Sequence, residues 1–234
     1  MLLHDLRAAV LEANLELVRA GLVSFTFGNA SGIDRASGLV AIKPSGVPYE
    51  RLTPAAIVVI DSAGKVVEGG LRPSSDWPTH LALYQTFAEI GGVAHTHSEF
   101  ATAWAQARRA IPCLGTTHAD YFHGPVPVTD SMTTEEIASG YEANTAAVIT
   151  RAFRSMDYRA VPAVLVANHG PFTWGATPAE AAHHAGALEI VARIAYRARV
   201  LNATAPEIAG ELHDKHFRRK HGDSAYYGQP EDRP

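Results

Sequence analysis

The chain carries one cysteine, Cys113, in 234 residues. That excludes an intrachain disulfide and a multi-cysteine zinc site, and Cys113 reads as a small buried hydrophobe. Long apolar runs are missing as well. No stretch approaches the roughly 18 consecutive apolar residues of a membrane span. The opening residues, Met-Leu-Leu-His-Asp-Leu-Arg, lack a basic region followed by a long apolar core. No secretory signal is expected on that ground, and a reducing cytoplasm is the expected compartment. Positive charge is scarce too. The formal net charge is −4, and the densest basic run, Phe217 to His221, is short, so non-specific nucleic-acid binding is not expected. There is no internal repeat and no long linker. The length reads as a single domain over residues 1–229, with the polar, proline-containing residues 230–234 expected to fray.

What is present is hydrophobic periodicity of two kinds. Leu3, Leu6, Val10, Ala13 and Leu17 recur at helical spacing, and Gly21 is a fitting stop. Short β-type runs follow at Leu22–Phe27, Gly32–Arg35, Leu39–Ile42 and Ile57–Ile60. Asp61-Ser62-Ala63-Gly64 reads as a turn that returns Lys65–Glu68 as a hairpin strand. Asp76 is placed to cap a helix running to about Glu89, with Leu81, Tyr84 and Phe87 inward, and Ser98–Arg108 reads as another. The pattern Thr133-x-x-Glu136 opens a helix to about Phe153. Thr177-Pro178-Ala179-Glu180 opens the longest helix, to about Leu201, and Pro206–Lys220 is the last. Short strands with tight turns imply a largely antiparallel sheet covered by helices on both faces, an α/β fold with three layers, α/β/α.

The chemistry concentrates between Ser74 and Asp120. Gly-Gly-Val-Ala-His95-Thr96-His97 is a short apolar strand ending in two histidines spaced by one residue. Residues i and i+2 of a strand point to the same face, so His95 and His97 are expected side by side. Neutral imidazoles placed so form a grip for a divalent metal. His169 ends a second apolar run, Ala-Val-Leu-Val-Ala-Asn-His-Gly-Pro. Asp76, in Ser-Ser-Asp-x-Pro, is a candidate carboxylate ligand. Taken alone, Asp120 reads as a turn or cap residue, Tyr227 as tail packing, and Gly28 and Gly46 as turn glycines.

Further segments complete a series: Phe27-Gly28-Asn29-Ala30-Ser31, Ile42-Lys43-Pro44-Ser45-Gly46-Val47, Pro73-Ser74-Ser75-Asp76, Gly115-Thr116-Thr117-His118-Ala119-Asp120-Tyr121, Asn168-His169-Gly170-Pro171, and a tail with His216, Arg219 and Tyr226-Tyr227-Gly228-Gln229. In this order they resemble the class II aldolase/epimerase family, and within it the pentulose-phosphate 4-epimerases, from residue 1 to about Gln229.

The resemblance implies a class II aldolase-like fold and a metal site of His95, His97, His169 and Asp76 holding Zn2+, with Mn2+ or Co2+ as alternatives. It implies inversion at C4 of L-ribulose 5-phosphate to D-xylulose 5-phosphate, by retro-aldol cleavage and re-addition of glycolaldehyde phosphate. Asp120 and Tyr227, from an adjacent subunit, would be the two acid/base groups. Gly28, Asn29, Lys43, Ser45, Gly46, Ser74, Ser75 and Thr116 would cradle substrate and phosphate, with His216 and Arg219 at tail positions near the site. The implied partners are a pentulose phosphate and further copies of the chain, in a cyclic homo-tetramer; neither nucleic acid nor membrane is among them.

Two enzymatic alternatives stay open: an aldolase on a related ketose phosphate, and an epimerase directed to L-xylulose 5-phosphate. Family aldolases usually place a glutamate base near position 76, so Asp76 together with the Asp120 segment favours the epimerase branch. Asn168 stands where related epimerases often have serine, which leaves the metal set intact. A non-catalytic scaffold of the same fold, as in the adducin head, would have no reason to keep three metal histidines.

Overall fold

The computed structural model describes residues 1–222 and 225–229, so the expectation for 230–234 lies outside the described residues. The helices are α1 (His4–Arg19), α2 (Trp77–Thr86), α3 (Glu99–Gln106), α4 (Thr116–Ala119), α5 (Thr134–Ala138), α6 (Tyr141–Ala152), α7 (Pro178–Leu201) and α8 (Gly210–Arg218). The strands are β1 (Asn29–Asp34), β2 (Leu39–Ile42), β3 (Val58–Ile60), β4 (Val66–Glu68), β5 (Gly92–His95), β6 (Ala163–Leu165) and β7 (Pro171–Gly175). They form one seven-stranded sheet in the order β4-β3-β2-β1-β5-β7-β6, with antiparallel pairing between every pair of neighbours.

Side-chain alternation sorts the sheet into two unlike faces. Ala30, Ala41 and Ala94 lie on the face that buries Val10, Ala13 and Leu17 of α1 and Ala181, Ala182 and Ala185 of α7. Small residues let these helices sit close to the strands. Val40, Val58, Ile60 and Val93 lie on the other face, against Leu81, Leu83 and Tyr84 of α2 and Phe87 just after it. His95 follows Val93 by two residues and therefore ends β5 on the α2 side.

The closeness of α7 has a measurable consequence. A methyl at Gly92 would stand 2.4 Å from the Thr177 carbonyl oxygen and 2.5 Å from the Pro178 nitrogen, where only backbone could yield. Gly92→Ala is expected to cost about 1–3 kcal/mol by overpacking, read as a fall in melting temperature of roughly 2–4 °C per kcal/mol. An unchanged melting temperature of the metal-free protein would show that this contact does not set the start of α7.

Several boundaries differ from expectation. Leu22–Phe27 forms no strand but irregular chain with a turn at Phe25 and Thr26, because Phe25 takes a left-handed φ of 55°. The helix expected over residues 133–153 is split into α5 and α6 by Gly140, whose φ of 136° is incompatible with a helix. The last helix starts at Gly210 instead of Pro206, since the preceding segment is tied elsewhere: Ile208 N–H donates to the Cys113 carbonyl at 2.9 Å. α2 stops at Thr86, because Phe87 turns extended and stacks on Tyr158 at 4.4 Å. His169 lies in the turn between β6 and β7, beyond the strand end at Leu165, with Asn168 left-handed before it.

Candidate active site

Two loops are brought together beside the end of β5. An isolated bridge pairs Pro44 with Pro73, Ser45 N–H donates to the Arg72 carbonyl at 2.9 Å, and Ser74 N–H donates to the Lys43 carbonyl at 2.9 Å. A third loop is held by the Tyr49 hydroxyl, which donates to the carbonyls of Phe27 and Gly28 at 2.7 and 2.9 Å. Gly28 has a φ of 75°, and a Cβ there would meet the His95 carbonyl oxygen at 2.9 Å. Any side chain at 28 would push the loop off the strand carrying the histidines. Between the loops lies a polar cavity of about 420 Å³. Gly28, Asn29, Lys43, Ser45, Gly46, Ser74, Ser75 and Asp76 line it together with His95, His97 and His169.

The three histidines form one cluster, with ligating nitrogens all within 4.8 Å of one another. His95 Nδ1 stands 2.9 Å from the Pro171 carbonyl oxygen, which can only accept, so the ring proton belongs on Nδ1. Nε2 of His95 is thereby left as a lone pair, 3.1 Å from Nε2 of His97. Metal–nitrogen bonds of about 2.0–2.1 Å in a tetrahedral site would set two such nitrogens roughly 3.3 Å apart, so the pair fits a shared cation. Burial pushes His95 down to about 3 and holds His97 and His169 below the ordinary imidazole value. All three are neutral at neutral pH, the state a metal ligand needs.

Asp76 sits at the N-cap of α2, as expected, but its side chain makes no cap bond. Asn29 Nδ2 donates to its Oδ2 at 2.7 Å instead. Burial opposes the Asp76 carboxylate, but the electrostatic influence of the neighbouring His95 and His80 rings and the Asn29 amide outweighs it, holding the group below the usual carboxylate range. Its oxygens do not fall within the set of mutually close ligand atoms formed by the three histidines.

Lys43 is 2% exposed and, among the described residues, has no carboxylate partner. Its ammonium lies 4.7 Å from the centre of the Tyr49 ring and reaches the Thr26 carbonyl only at 3.4 Å. Burial pushes it down to about 8. A buried cation without a counter-ion, facing a polar cavity, is built to receive an anion.

The remaining predicted residues gather elsewhere. Arg219 clamps Asp120 in a fork, Nε to Oδ1 at 2.9 Å and Nη2 to Oδ2 at 2.6 Å, and His216 Nδ1 reaches Oδ1 at 3.0 Å. Burial opposes the charge on Asp120, but these hydrogen bonds prevail, and its carboxyl is held below the usual range. The Arg219 guanidinium lies 5.0 Å from the centre of the Tyr227 ring. Thr116 is one helical turn before Asp120, whose N–H donates to its carbonyl at 2.9 Å. None of these five residues lines the histidine cavity.

Tyr141 and Glu142 do line it and were not foreseen. The Tyr141 hydroxyl stands 3.1 Å from Nδ1 of His169, where it fixes the ring. The available signal was Gly140, which starts α6 with Tyr141 facing the cavity. A second group, His123, His213 and Asp214, has ligand-type spacing. Gly124 N–H donates to His213 Nε2 at 3.0 Å, so Nδ1 carries that ring's proton and offers no lone pair. These residues fasten α8 to the loop after α4. A separate apolar hollow of about 310 Å³ between α3 and α7, lined by Phe100, Trp104 and Tyr196, lacks convergent polar groups other than Arg109 and Arg199 at its rim.

A three-layer fold with an antiparallel sheet and neutral histidines clustered beside a polar cavity is the architecture of class II aldolases. The chain belongs to the family described as Class II Aldolase and Adducin N-terminal domain, which matches residues 8–196. It is 52% identical over 227 residues to the L-ribulose-5-phosphate 4-epimerase UlaF of Salmonella paratyphi C, covering 97% of this chain and all of that one. Among solved structures it is similar to an L-fuculose 1-phosphate aldolase, with a TM-score of 0.77 and 29% identity over 91% of this chain and 94% of the other. The l-fuculose-1-phosphate aldolase of Thermus thermophilus superposes with a TM-score of 0.65 at 26% identity, over 87% of this chain and 98% of that one. No helix among the described residues is long and apolar enough to cross a membrane.

Proposed function

We propose that this protein is a divalent-metal-dependent epimerase that inverts C4 of L-ribulose 5-phosphate to give D-xylulose 5-phosphate. The observation that carries the reading is one cavity holding both a neutral three-histidine cluster and a buried Lys43 with no carboxylate partner among the described residues, in a chain 52% identical over 97% of its length to a relative named for that reaction.

The C4 hydrogen of a 2-ketose is not adjacent to the carbonyl, so its removal gives no stabilised carbanion. Breaking C3–C4 does: the C4 hydroxyl loses its proton, C4 becomes the aldehyde of glycolaldehyde phosphate, and the bonding pair moves to C3 to form an enediolate. Rotation of the aldehyde and attack on its other face restore the bond with C4 inverted, and the new alkoxide takes a proton. His95, His97 and His169, with Asp76 beside them, would hold a divalent ion, which we take to be Zn2+, and that ion would supply Lewis acidity for the developing enediolate charge. The chain's own groups do the rest. Lys43 and the N–H and hydroxyl groups of the Gly28-Asn29, Ser45-Gly46 and Ser74-Ser75 loops hold the phosphate, so the aldehyde fragment stays tethered while it turns. Two acid/base groups on opposite sides are needed, because epimers direct the C4 oxygen oppositely. We assign these to Asp120 and Tyr227 of a neighbouring subunit in a cyclic homo-tetramer. Their separation from the cavity within one chain supports this, as does the ionised state in which Arg219 and His216 keep Asp120.

The test is incubation of the metal-loaded protein with L-ribulose 5-phosphate and, separately, L-xylulose 5-phosphate, following both epimer and free glycolaldehyde phosphate. Epimer formation from L-ribulose 5-phosphate without accumulating aldehyde is expected. Net release of aldehyde would overturn the reading in favour of an aldolase.

Lys43 makes the reaction pH-dependent with a definite sign. In the free protein its charge is lost as pH rises through about 8, and the phosphate site loses its cation. The value of kcat/KM, which reports free-enzyme ionisations, is expected to fall about tenfold per pH unit above that point. Lys43→Gln should flatten this limb and lower kcat/KM below it. A profile unchanged by the substitution would remove Lys43 from the phosphate site.

A further inference from the structure

Behind the histidine cluster, α2 buries a polar side chain that the chemistry above does not use. His80 lies one turn after Asp76, and its backbone N–H donates to the Asp76 carbonyl at 3.1 Å. The residue is 0% exposed. Its Nδ1 stands 2.7 Å from Ser31 Oγ, and that hydroxyl stands 2.8 Å from the Tyr84 hydroxyl. One edge of the imidazole is therefore tied to β1. The other edge ends in Nε2, which is buried with no hydrogen-bond partner among the described residues, and Asn29 Oδ1 is orphaned in the same way.

An unpaired buried polar atom is costly, and native proteins pair such atoms through water where no side chain reaches. Both orphans belong to residues that act on Asp76. Asn29 donates to Asp76 Oδ2 at 2.7 Å, and His80 donates its backbone N–H to the Asp76 carbonyl at 3.1 Å. One directed chain satisfies these contacts: with Tyr84 O–H donating to Ser31 Oγ and Ser31 O–H donating to His80 Nδ1, His80 Nε2–H is left as a donor. A water accepting from Nε2–H has two protons of its own, one for Asn29 Oδ1 and one for the carboxylate. Packing alone does not call for an imidazole here. Phe172 meets His80 edge-on at 6.0 Å and stacks on His95 at 4.2 Å, surroundings that an apolar ring would also fill.

We propose that His80 is a positioning residue for Asp76: Tyr84 and Ser31 anchor one edge of its ring, and the other edge, through one buried water shared with Asn29, orients the carboxylate toward the metal site. The proposal rests on the reading of Asp76 as a metal ligand. Groups of this kind behind a ligand typically change metal affinity by about 10–100-fold when removed.

The experiment measures Zn2+ affinity of the intact protein by competition with a chromophoric chelator, alongside thermal unfolding of the metal-free form. His80→Phe is expected to weaken Zn2+ binding by about 10–100-fold while the metal-free protein stays folded. His80→Gln, which keeps an N–H near the position of Nε2, should recover part of the loss. In an Asp76→Ala background, His80→Phe should cost nothing further, since its effect runs through that carboxylate. An equal loss in both backgrounds, or unaltered affinity in His80→Phe, overturns the proposal. Unaltered affinity in Asp76→Ala alone removes the ligand reading on which it rests, a result distinct from the other two. Should His80→Phe fail to fold, Ser31→Ala carries the same test from the far end of the chain of bonds. Its loss is expected to be at least about threefold and likewise abolished by Asp76→Ala.

Discussion

His97→Asn is expected to abolish metal retention and activity together. His97 is the exposed member of the cluster, with Nε2 at 3.1 Å from that of His95, so its replacement opens the shell on the cavity side without disturbing the buried ring behind it. An asparagine side chain is too short to return a donor atom to that place. Lewis-acid chemistry contributes several kcal/mol to the transition state, and each roughly 1.4 kcal/mol is a factor of ten, so a loss of about 10³-fold or more in kcat/KM follows. Elemental analysis after exhaustive dialysis checks the cause: metal per chain should drop with activity. Full occupancy in an inactive variant would sink the assignment of His97 as a ligand.

The second large effect is a recovery rather than a loss. Asp120→Asn removes a group whose acid/base work is worth about 10²–10⁴-fold, so this variant, like His97→Asn, should be nearly inactive alone. Mixed in equal amounts and allowed to exchange subunits, the two are expected to regain activity. A site is whole when its metal side comes from an Asp120→Asn chain and its acid/base side from a His97→Asn chain, which random assembly gives in roughly a quarter of sites. Native mass spectrometry establishes that exchange has occurred before the assay. Exchanged oligomers no more active than their parents would mean that the cavity and the Asp120 group serve one another within a single chain. The same experiment tests why Asp120 sits away from the histidines while already bound by Arg219 and His216.

Legibility in the sequence followed the range of each interaction. Helix starts at Thr133 and Thr177 were readable because a capping side chain bonds a backbone N–H only three residues on, as Thr133 does with Glu136 and Thr177 with Glu180. The His-x-His pair was readable because strand alternation acts over two residues. The tract Leu22–Phe27 misled for the opposite reason: its apolar composition suits a strand, yet Tyr49, more than twenty residues away, holds the carbonyls of Phe27 and Gly28 in a turn. Tyr141 escaped notice because its partner, His169, is 28 residues distant.

By itself, the order of residues determined the three-layer class, singled out the three histidines as candidate ligands, and excluded an intrachain disulfide and any apolar run long enough for a membrane-spanning helix. These follow from composition and from local periodicity, which act on neighbours along the chain. Only the tertiary structure decided that Asp76 turns from its helix end to Asn29, that Lys43 is buried with no carboxylate partner among the described residues, and that Asp120 is clamped by Arg219 at a distance from the cavity. The physical reason is that hydrogen-bond partnership, burial and proton affinity are properties of a place in space. That place is made by residues such as Pro44 and Pro73, or Asp120 and Arg219, which become neighbours only when the sheet and its helices close around them.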